Sequence, residues 1–320
     1  MLKFIFHIFR SLGIALLVYI PLTVIWAKWD YKSFLKENIW YELDKAGIDS
    51  LGNVNSYGHM FSRMREVQKT KDVDVLVIGS SQAYRGFDPR IFEKEGIRIF
   101  NMGSSNQTPV QSDVLLRQYT PRLNPKTVIY VVYPEVFSVD GVESTLDILA
   151  NDRIDPKLMA LVVSQKNLKL LNTMTYGLYR QVFGINDKLN EKEFKSNDLY
   201  VSGGFVEKKL FYFKYDTYRE DKWNFNDQQF SIFHKSLRFL HKKGIKVILV
   251  QTPTASGYYN SFSNNDTFDS LMNNSGSYYN FNHLIELDDS LCFYDRFHMN
   301  KNGVVPFNKK FLELLGDELQ

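Results

Sequence analysis

The sequence predicts an α/β fold, a three-layer sandwich with helices on both faces of a parallel sheet. Two observations carry this. Short, almost wholly apolar runs rich in β-branched residues recur at 73–78, 127–132 and 245–250, and runs without polar alternation suit strands buried on both faces. Helical stretches stand between them, so successive strands are joined by crossovers and run parallel.

In chain order, the N-terminus comes first. Residues 4–27 are apolar apart from His7, Arg10, Ser11 and Thr23, and no charge falls between Leu12 and Trp26. About 20 apolar residues span a bilayer, and Arg10 can snorkel to the interface. Lys3 and Arg10 favour a cytoplasmic N-terminal end, although Lys28 and Lys32 beyond the segment weaken the bias. Trp26, Trp29 and Tyr31 suit an interfacial aromatic belt. No small-x-small cleavage site and no lipobox cysteine follow, which favours an uncleaved signal anchor over a cleaved signal peptide. The expected organisation is a transmembrane anchor over 1–28, surrounded by membrane lipid, a stalk over 29–71 with a helix within 57–70, and an α/β domain over 72–320. The N-terminus would lie in the cytoplasm and the main domain outside the cell membrane.

The first strand, 73–78, stops at Gly79-Ser80-Ser81. Glycine adopts backbone conformations that other residues resist, so the chain can turn sharply there. Asp88-Pro89 reads as a cap followed by proline in the first helical position, and Gly96 ends that short helix. A second strand over 97–102 runs into Gly103-Ser104-Ser105-Asn106. A helix over 112–123 precedes the third strand, 127–132. The stretch from about 140 to 227 breaks the rhythm and exceeds an ordinary connection. With amphipathic segments such as 158–171 and an aromatic run at 210–218, it reads as a mostly helical insertion. A basic amphipathic helix over 230–243, stopped by Gly244, leads to the fourth strand, and 291–294 is a short candidate fifth.

Composition narrows the function classes. A formal net charge of +3 on 320 residues, with no basic cluster in the folded part, argues against nucleic acid as a partner. Cys292 is the one cysteine, which excludes an intramolecular disulfide. No set of Cys, His and carboxylates has metal-ligand spacing, and no glycine-rich phosphate motif occurs, so neither a metal nor another cofactor is expected. His234 and His241 stand among lysines and read as a solvated helix face.

Two places carry chemistry. Ser81 falls just past the C-terminal end of a central strand, where open α/β sheets bind their ligands. Asp295 and His298, three residues apart, would share one side of a helical turn. The carboxylate could then hold the imidazole by its Nδ1 proton and leave Nε2 as a base.

Taken together, Gly79-Ser80-Ser81, Asn101-Met102-Gly103 and Asp295-x-x-His298 resemble the blocks of the SGNH (GDSL-type) hydrolase superfamily, across roughly 73–315 apart from the insertion. The resemblance implies a flavodoxin-like α/β/α sandwich. It makes Ser81 the nucleophile, Asp295 and His298 its catalytic partners, and the N–H groups of Ser81 and Gly103 the oxyanion hole. Two departures stand out. Gly-Ser-Ser replaces the usual Gly-Asp-Ser, and Tyr133-Pro134-Glu135 follows the third strand where the family offers an asparagine. The anchor, Phe87-Asp88-Pro89 and His298-Met299-Asn300-x-x-Gly303 resemble the membrane-anchored, acyltransferase-like branch that contains the teichoic-acid D-alanylation protein DltD. That branch implies a serine-dependent acyltransferase or esterase acting on acyl groups of cell-envelope glycans or polymers, with a membrane-embedded acyl-donor protein as a partner. The absent asparagine leaves a second reading open: a catalytically silent protein that binds an envelope glycan or an assembly partner through the same cleft.

Overall fold

A computed structural model describes residues 2–28, 53–214 and 217–319. Helix α1 (Leu2–Lys28) comes first; from residue 53 a short strand β1 (Asn53–Val54) and α2 (Met60–Val67) lead into β2 (Val75–Ile78). Helices α3 (Ser81–Gly86) and α4 (Pro89–Glu93) connect to β3 (Ile99–Asn101), and α5 (Pro109–Leu123) connects to β4 (Thr127–Val131). Three helices follow, α6 (Val142–Asn151), α7 (Pro156–Gln165) and α8 (Leu168–Val182), then β5 (Asn190–Glu191), β6 (Phe194–Lys195), β7 (Asp198–Val201) and β8 (Phe205–Lys208). Helix α9 (Asp227–Lys242) returns to the sheet through β9 (Lys246–Gln251), and α10 (Ser256–Tyr259) and α11 (Asn265–Asn273) lead to β10 (Ser277–Asn280). The last helices are α12 (Phe281–Leu284), α13 (Asp289–Cys292) and α14 (Lys301–Leu315).

The central sheet has the order β10-β9-β4-β2-β3 and is parallel throughout. Its first strand, β2, therefore has the second strand on one side and the third on the other. That reversal is the switch point of a doubly wound sheet, and it opens a crevice at the C-terminal end of β2. Every residue of β2 and β4 is buried, as continuous apolar runs require. Alternate residues feed two cores. Leu76, Ile78, Val128, Tyr130 and Leu249 pack against α2, α5, α9 and α11. Val75, Val77, Ile129, Val131 and Val250 pack on the other face against Phe87, Phe92, Phe307 and Phe311.

Local signals act as their chemistry dictates. The Asp88 side chain accepts the Arg90 N–H and starts α4 with Pro89 in the first turn. Thr108 and Gln111 form a capping box at α5. Gly244, at φ +71°, follows the end of α9.

The structure departs from expectation in four places. The expected strand at 291–294 is replaced by α13, because the Asp288 side chain accepts the Ser290 and Leu291 N–H groups and nucleates a helical turn; β10 is the fifth strand instead. The region expected to be mostly helical ends in an antiparallel sheet of β6, β7 and β8. The amphipathic stretch at 158–171 divides into α7 and α8 at Lys166, whose φ is +49°. Among the described residues no helix is long and apolar enough to cross a membrane, so the expected transmembrane helix is not supported by the structure. Of the expected stalk, 29–52 lies outside the described residues; the helix expected within 57–70 is α2, whose Met60, Met64 and Val67 are buried in the first core.

Gly79 is the tightest point at the end of β2. Its φ is +149°, and a Cβ there would lie 2.6 Å from the Val131 carbonyl oxygen, a backbone atom that cannot rotate away. Gly79→Ala should cost about 1–3 kcal/mol of stability, read as a lowered midpoint in urea unfolding followed by circular dichroism; an unchanged midpoint would show that the turn can relax.

Candidate active site

The site is assembled at the end of β2. After Gly79, Ser80 is buried with extended backbone, and its carbonyl accepts the Ala83 N–H at 2.9 Å. Ser81 is thereby the first residue of α3, where the helix has no internal acceptor for its N–H. The loop after β3 lies against this turn: the Met102 N–H bonds the Val77 carbonyl at 2.8 Å and the Ser104 N–H bonds the Gly79 carbonyl at 3.3 Å. Between them, Gly103 sits so close that a Cβ would meet the Ser80 carbonyl oxygen at 2.7 Å and the Ala83 Cβ at 2.9 Å. Among the described residues, neither the Ser81 N–H nor the Gly103 N–H has an acceptor.

The other half comes from the chain just before α14. Asp295 and His298 stand in a tight bend, in place of the helical turn expected from their spacing. Asp295 Oδ1 accepts the N–H groups of Phe297 at 2.8 Å and His298 at 2.9 Å, which folds the bend onto the carboxylate. His298 Nδ1 lies 2.9 Å from both Asp295 oxygens, and Nε2 lies 2.7 Å from Ser81 Oγ. Residues 217 positions apart thus form one hydrogen-bonded chain. Burial works to raise the Asp295 carboxyl. The bond and charge of His298 and the two backbone N–H groups outweigh it, holding the carboxyl below the usual range.

Sequence reasoning missed several of the residues that hold the site together, although Asn300 and Gly303 stand in the motif quoted above. The Tyr294 ring stacks on the His298 ring at 5.4 Å and 6°, fixing the imidazole plane. Behind Tyr294, Arg85 makes a two-pronged bond to Asp198. Gln82 donates to the Phe297 carbonyl at 3.3 Å and ties α3 to the bend. Asn300 donates to the carbonyls of Phe211, Leu291 and Phe293 while its Oδ1 caps α14. Gly303 follows because a Cβ there would lie 2.4 Å from the Cys292 carbonyl oxygen. Buried Arg63 donates to the carbonyls of Gly103, Gly204 and Gly58 at 2.9–3.0 Å. No local pattern marks Gln82, Tyr294 or Arg63; each acts through a partner remote in sequence or buried in the core.

The structure therefore brings Ser81, His298 and Asp295 into contact and sets Gly103 against the turn that carries Ser81. Glu135 lies in a 3-10 turn (Pro134–Phe137) beyond β4 and is half-buried, within electrostatic reach of Arg296 and His298. Chemically, the set offers a nucleophile, a base, a group that orients the base, and two unpaired N–H donors.

No family model matches the sequence, and no curated protein matches it. Solved structures similar to it include GDSL-like lipase and acylhydrolase folds. One is a GDSL-like lipase from Bacteroides thetaiotaomicron, with 12% identity and a TM-score of 0.41, covering 82% of this chain and 100% of that one. Another, assigned as an acylhydrolase, is from Bacteroides fragilis, with 12% identity, a TM-score of 0.41, and coverage of 83% of this chain and 100% of that one.

Proposed function

We propose that the protein is a serine-dependent esterase or acyltransferase working through an acyl-Ser81 intermediate. One observation carries the reading: the continuous chain Ser81 Oγ–His298–Asp295, at 2.7 and 2.9 Å. His298 Nε2 takes the Ser81 proton as Oγ attacks the ester carbonyl, and passes it to the leaving alcohol. Asp295 holds Nδ1–H and so keeps the lone pair on Nε2. The Ser81 and Gly103 N–H groups receive the oxyanion. A second alcohol that attacks the acyl-serine makes the enzyme a transferase; water makes it an esterase. The finer reading is that of the acyltransferase-like branch: an N-terminal anchor, supported by the uncharged run from Leu12 to Trp26 behind Lys3 and Arg10, and acyl groups of envelope glycans or polymers as the cargo.

Ser81→Ala removes one hydroxyl and should change stability by no more than about 1 kcal/mol, while abolishing both ester turnover and labelling by a serine-reactive fluorophosphonate. Ser80→Ala should keep both, since buried Ser80 serves the turn. Labelling that survives only in Ser81→Ala would move the nucleophile to Ser80.

Asp295→Asn should lower kcat steeply, by up to about 10⁴-fold, because it removes the group that fixes the imidazole tautomer. Equal turnover in that variant would make Asp295 a turn residue only.

The anchor has its own test. A reporter that works only outside the cytoplasm, fused after Gln320, should be active. Activity from a cytoplasm-only reporter would remove the envelope substrate.

A further inference from the structure

The neck of the catalytic bend pairs two rings. Phe293 and Met299 face each other as an isolated antiparallel bridge, and the Tyr294 N–H donates to the His298 carbonyl at 3.1 Å. The bend therefore carries the Tyr294 and His298 rings side by side. They stack at 5.4 Å and 6°, an offset arrangement that aromatic pairs favour. Two cations also lie over the Tyr294 ring. The Arg85 guanidinium and the Lys208 ammonium are each 5.7 Å from its centre, within cation–π range. Asp198 gathers both. Its two carboxylate oxygens accept from the two terminal nitrogens of Arg85 at 3.3 and 2.9 Å, and its Oδ1 lies 2.9 Å from Lys208 Nζ.

These residues come from two parts of the chain. Arg85 stands one turn after Ser81 on α3. Asp198 opens β7 and Lys208 closes β8, directly opposite each other in the antiparallel sheet, where opposite charges support the pairing. The small sheet that interrupts the α/β rhythm is thus connected to the base: Asp198 holds Arg85 and Lys208, these lie on Tyr294, and Tyr294 lies on His298. The need for such support arises once the acyl-serine forms. In the free enzyme His298 is held at both nitrogens, by Asp295 at 2.9 Å and by Ser81 Oγ at 2.7 Å. After acylation Oγ carries the acyl group and has no proton to share. Asp295 then holds one nitrogen, and a ring held at one end can swing out of line. A stacked neighbour fixes the plane and needs no proton to do so.

Building on the acyl-Ser81 reading, we propose that Tyr294 is a positioning residue that holds the imidazole in line while Ser81 is acylated, and that Asp198 acts through it by clamping Arg85 and Lys208 onto its ring. In that state Nε2 takes a proton from the attacking water or alcohol as the attacking oxygen bonds the acyl carbon. It returns the proton to Ser81 Oγ as the acyl–Oγ bond breaks. Tyr294 exchanges no proton in either step. Its effect is on geometry, where an error of about 1 Å costs about 10²-fold in rate. The small sheet then belongs to the catalytic apparatus, since it supplies the carboxylate on which the clamp depends.

The test compares wild type, Tyr294→Met, Tyr294→Phe, Asp198→Asn and the double variant Asp198→Asn/Tyr294→Met, each as the full chain. It follows p-nitrophenyl acetate turnover and the rate of fluorophosphonate labelling, with circular dichroism as the check on folding. Tyr294→Met keeps the bulk and loses the flat ring. Its turnover should fall by about 10–10²-fold, and labelling, which needs only the first step, should slow less. Tyr294→Phe keeps the ring and should recover about tenfold or more over Tyr294→Met. Asp198→Asn should lower turnover, and the double variant should be no slower than Tyr294→Met alone, because effects that pass through one group do not add. A Tyr294→Met turnover within about threefold of wild type, equal slowing of turnover and labelling, no recovery in Tyr294→Phe, or additive losses in the double variant overturns the proposal, while wild-type labelling at Ser81 leaves the acyl-serine reading standing. Should Tyr294→Met not fold, the isosteric Asp198→Asn decides: turnover within about threefold of wild type overturns the proposal. A wild type that neither labels nor turns over ester overturns both.

Discussion

The site depends on how closely neighbouring segments pack around the C-terminal ends of β2 and β3. Three glycines mark the approach: Gly79 against the Val131 carbonyl, Gly103 against the Ser80 carbonyl, and Gly204 with a hypothetical Cβ 2.3 Å from the Asn101 carbonyl oxygen. Packing this tight brings several backbone carbonyls into the protein interior. Arg63 resolves the problem. Its guanidinium is fully buried and bonds carbonyls from three separate segments, at Gly58, Gly103 and Gly204. A buried charge is tolerated only when its donors are satisfied, and those bonds fix the loop of Gly103 from behind. The direction of the Gly103 N–H is thus set by a residue of α2, outside the central sheet.

The second half of the site is held by a different part of the molecule. Ser81 opens α3, and His298 lies just before α14. Both helices belong to the second core, where Phe87 meets Phe307 and Phe311 edge-on at 5.2 and 5.4 Å. Asn308 on α14 accepts the Asp88 N–H and donates to the Gly86 carbonyl at 2.7 Å, which pins α14 to the end of α3. The 2.7 Å contact between Ser81 and His298 is therefore a consequence of aromatic packing and one buried amide, with Gln82 adding a direct tie across the gap. Shifting either helix by an ångström would break the nucleophile's bond before it unfolded anything.

Much of this was legible in the sequence, and the limits have physical reasons. The strands β2, β4 and β9 stood out because a strand buried on both faces has no polar alternation to disguise it. Ser81, Gly103, Asp295 and His298 were visible because each sits at a strand or helix boundary whose glycine or capping residue leaves a local mark. β10 did not stand out: Ser277-Tyr278-Tyr279-Asn280 is an edge strand, only part-buried, with polar ends. The strand expected at 291–294 failed because Asp288 supplies a cap, and a cap outweighs the β-propensity of four residues. The bend at Asp295 was read as a helical turn because three-residue spacing fits both; the backbone bonds to Asp295 Oδ1 decide between them. Arg63, Gln82 and Tyr294 were not legible at all, since their partners are set by tertiary contacts.

The two carboxyl groups around His298 show how environment divides chemically similar side chains. Asp295 is partly exposed and accepts two backbone N–H groups and the imidazole Nδ1, and these bonds hold its carboxyl below the usual range against the desolvation that would raise it. Glu135 is half-buried, and burial pushes its carboxyl up against the opposing pull of Arg296 and His298. Neither difference lies in the side chains themselves. It lies in the donors the backbone offers: a tight bend presents its N–H groups to Asp295, whereas among the described residues no backbone N–H bonds the Glu135 carboxyl. The imidazole thus stands near one carboxyl that its hydrogen bonds keep easy to ionise and one that burial makes harder to ionise.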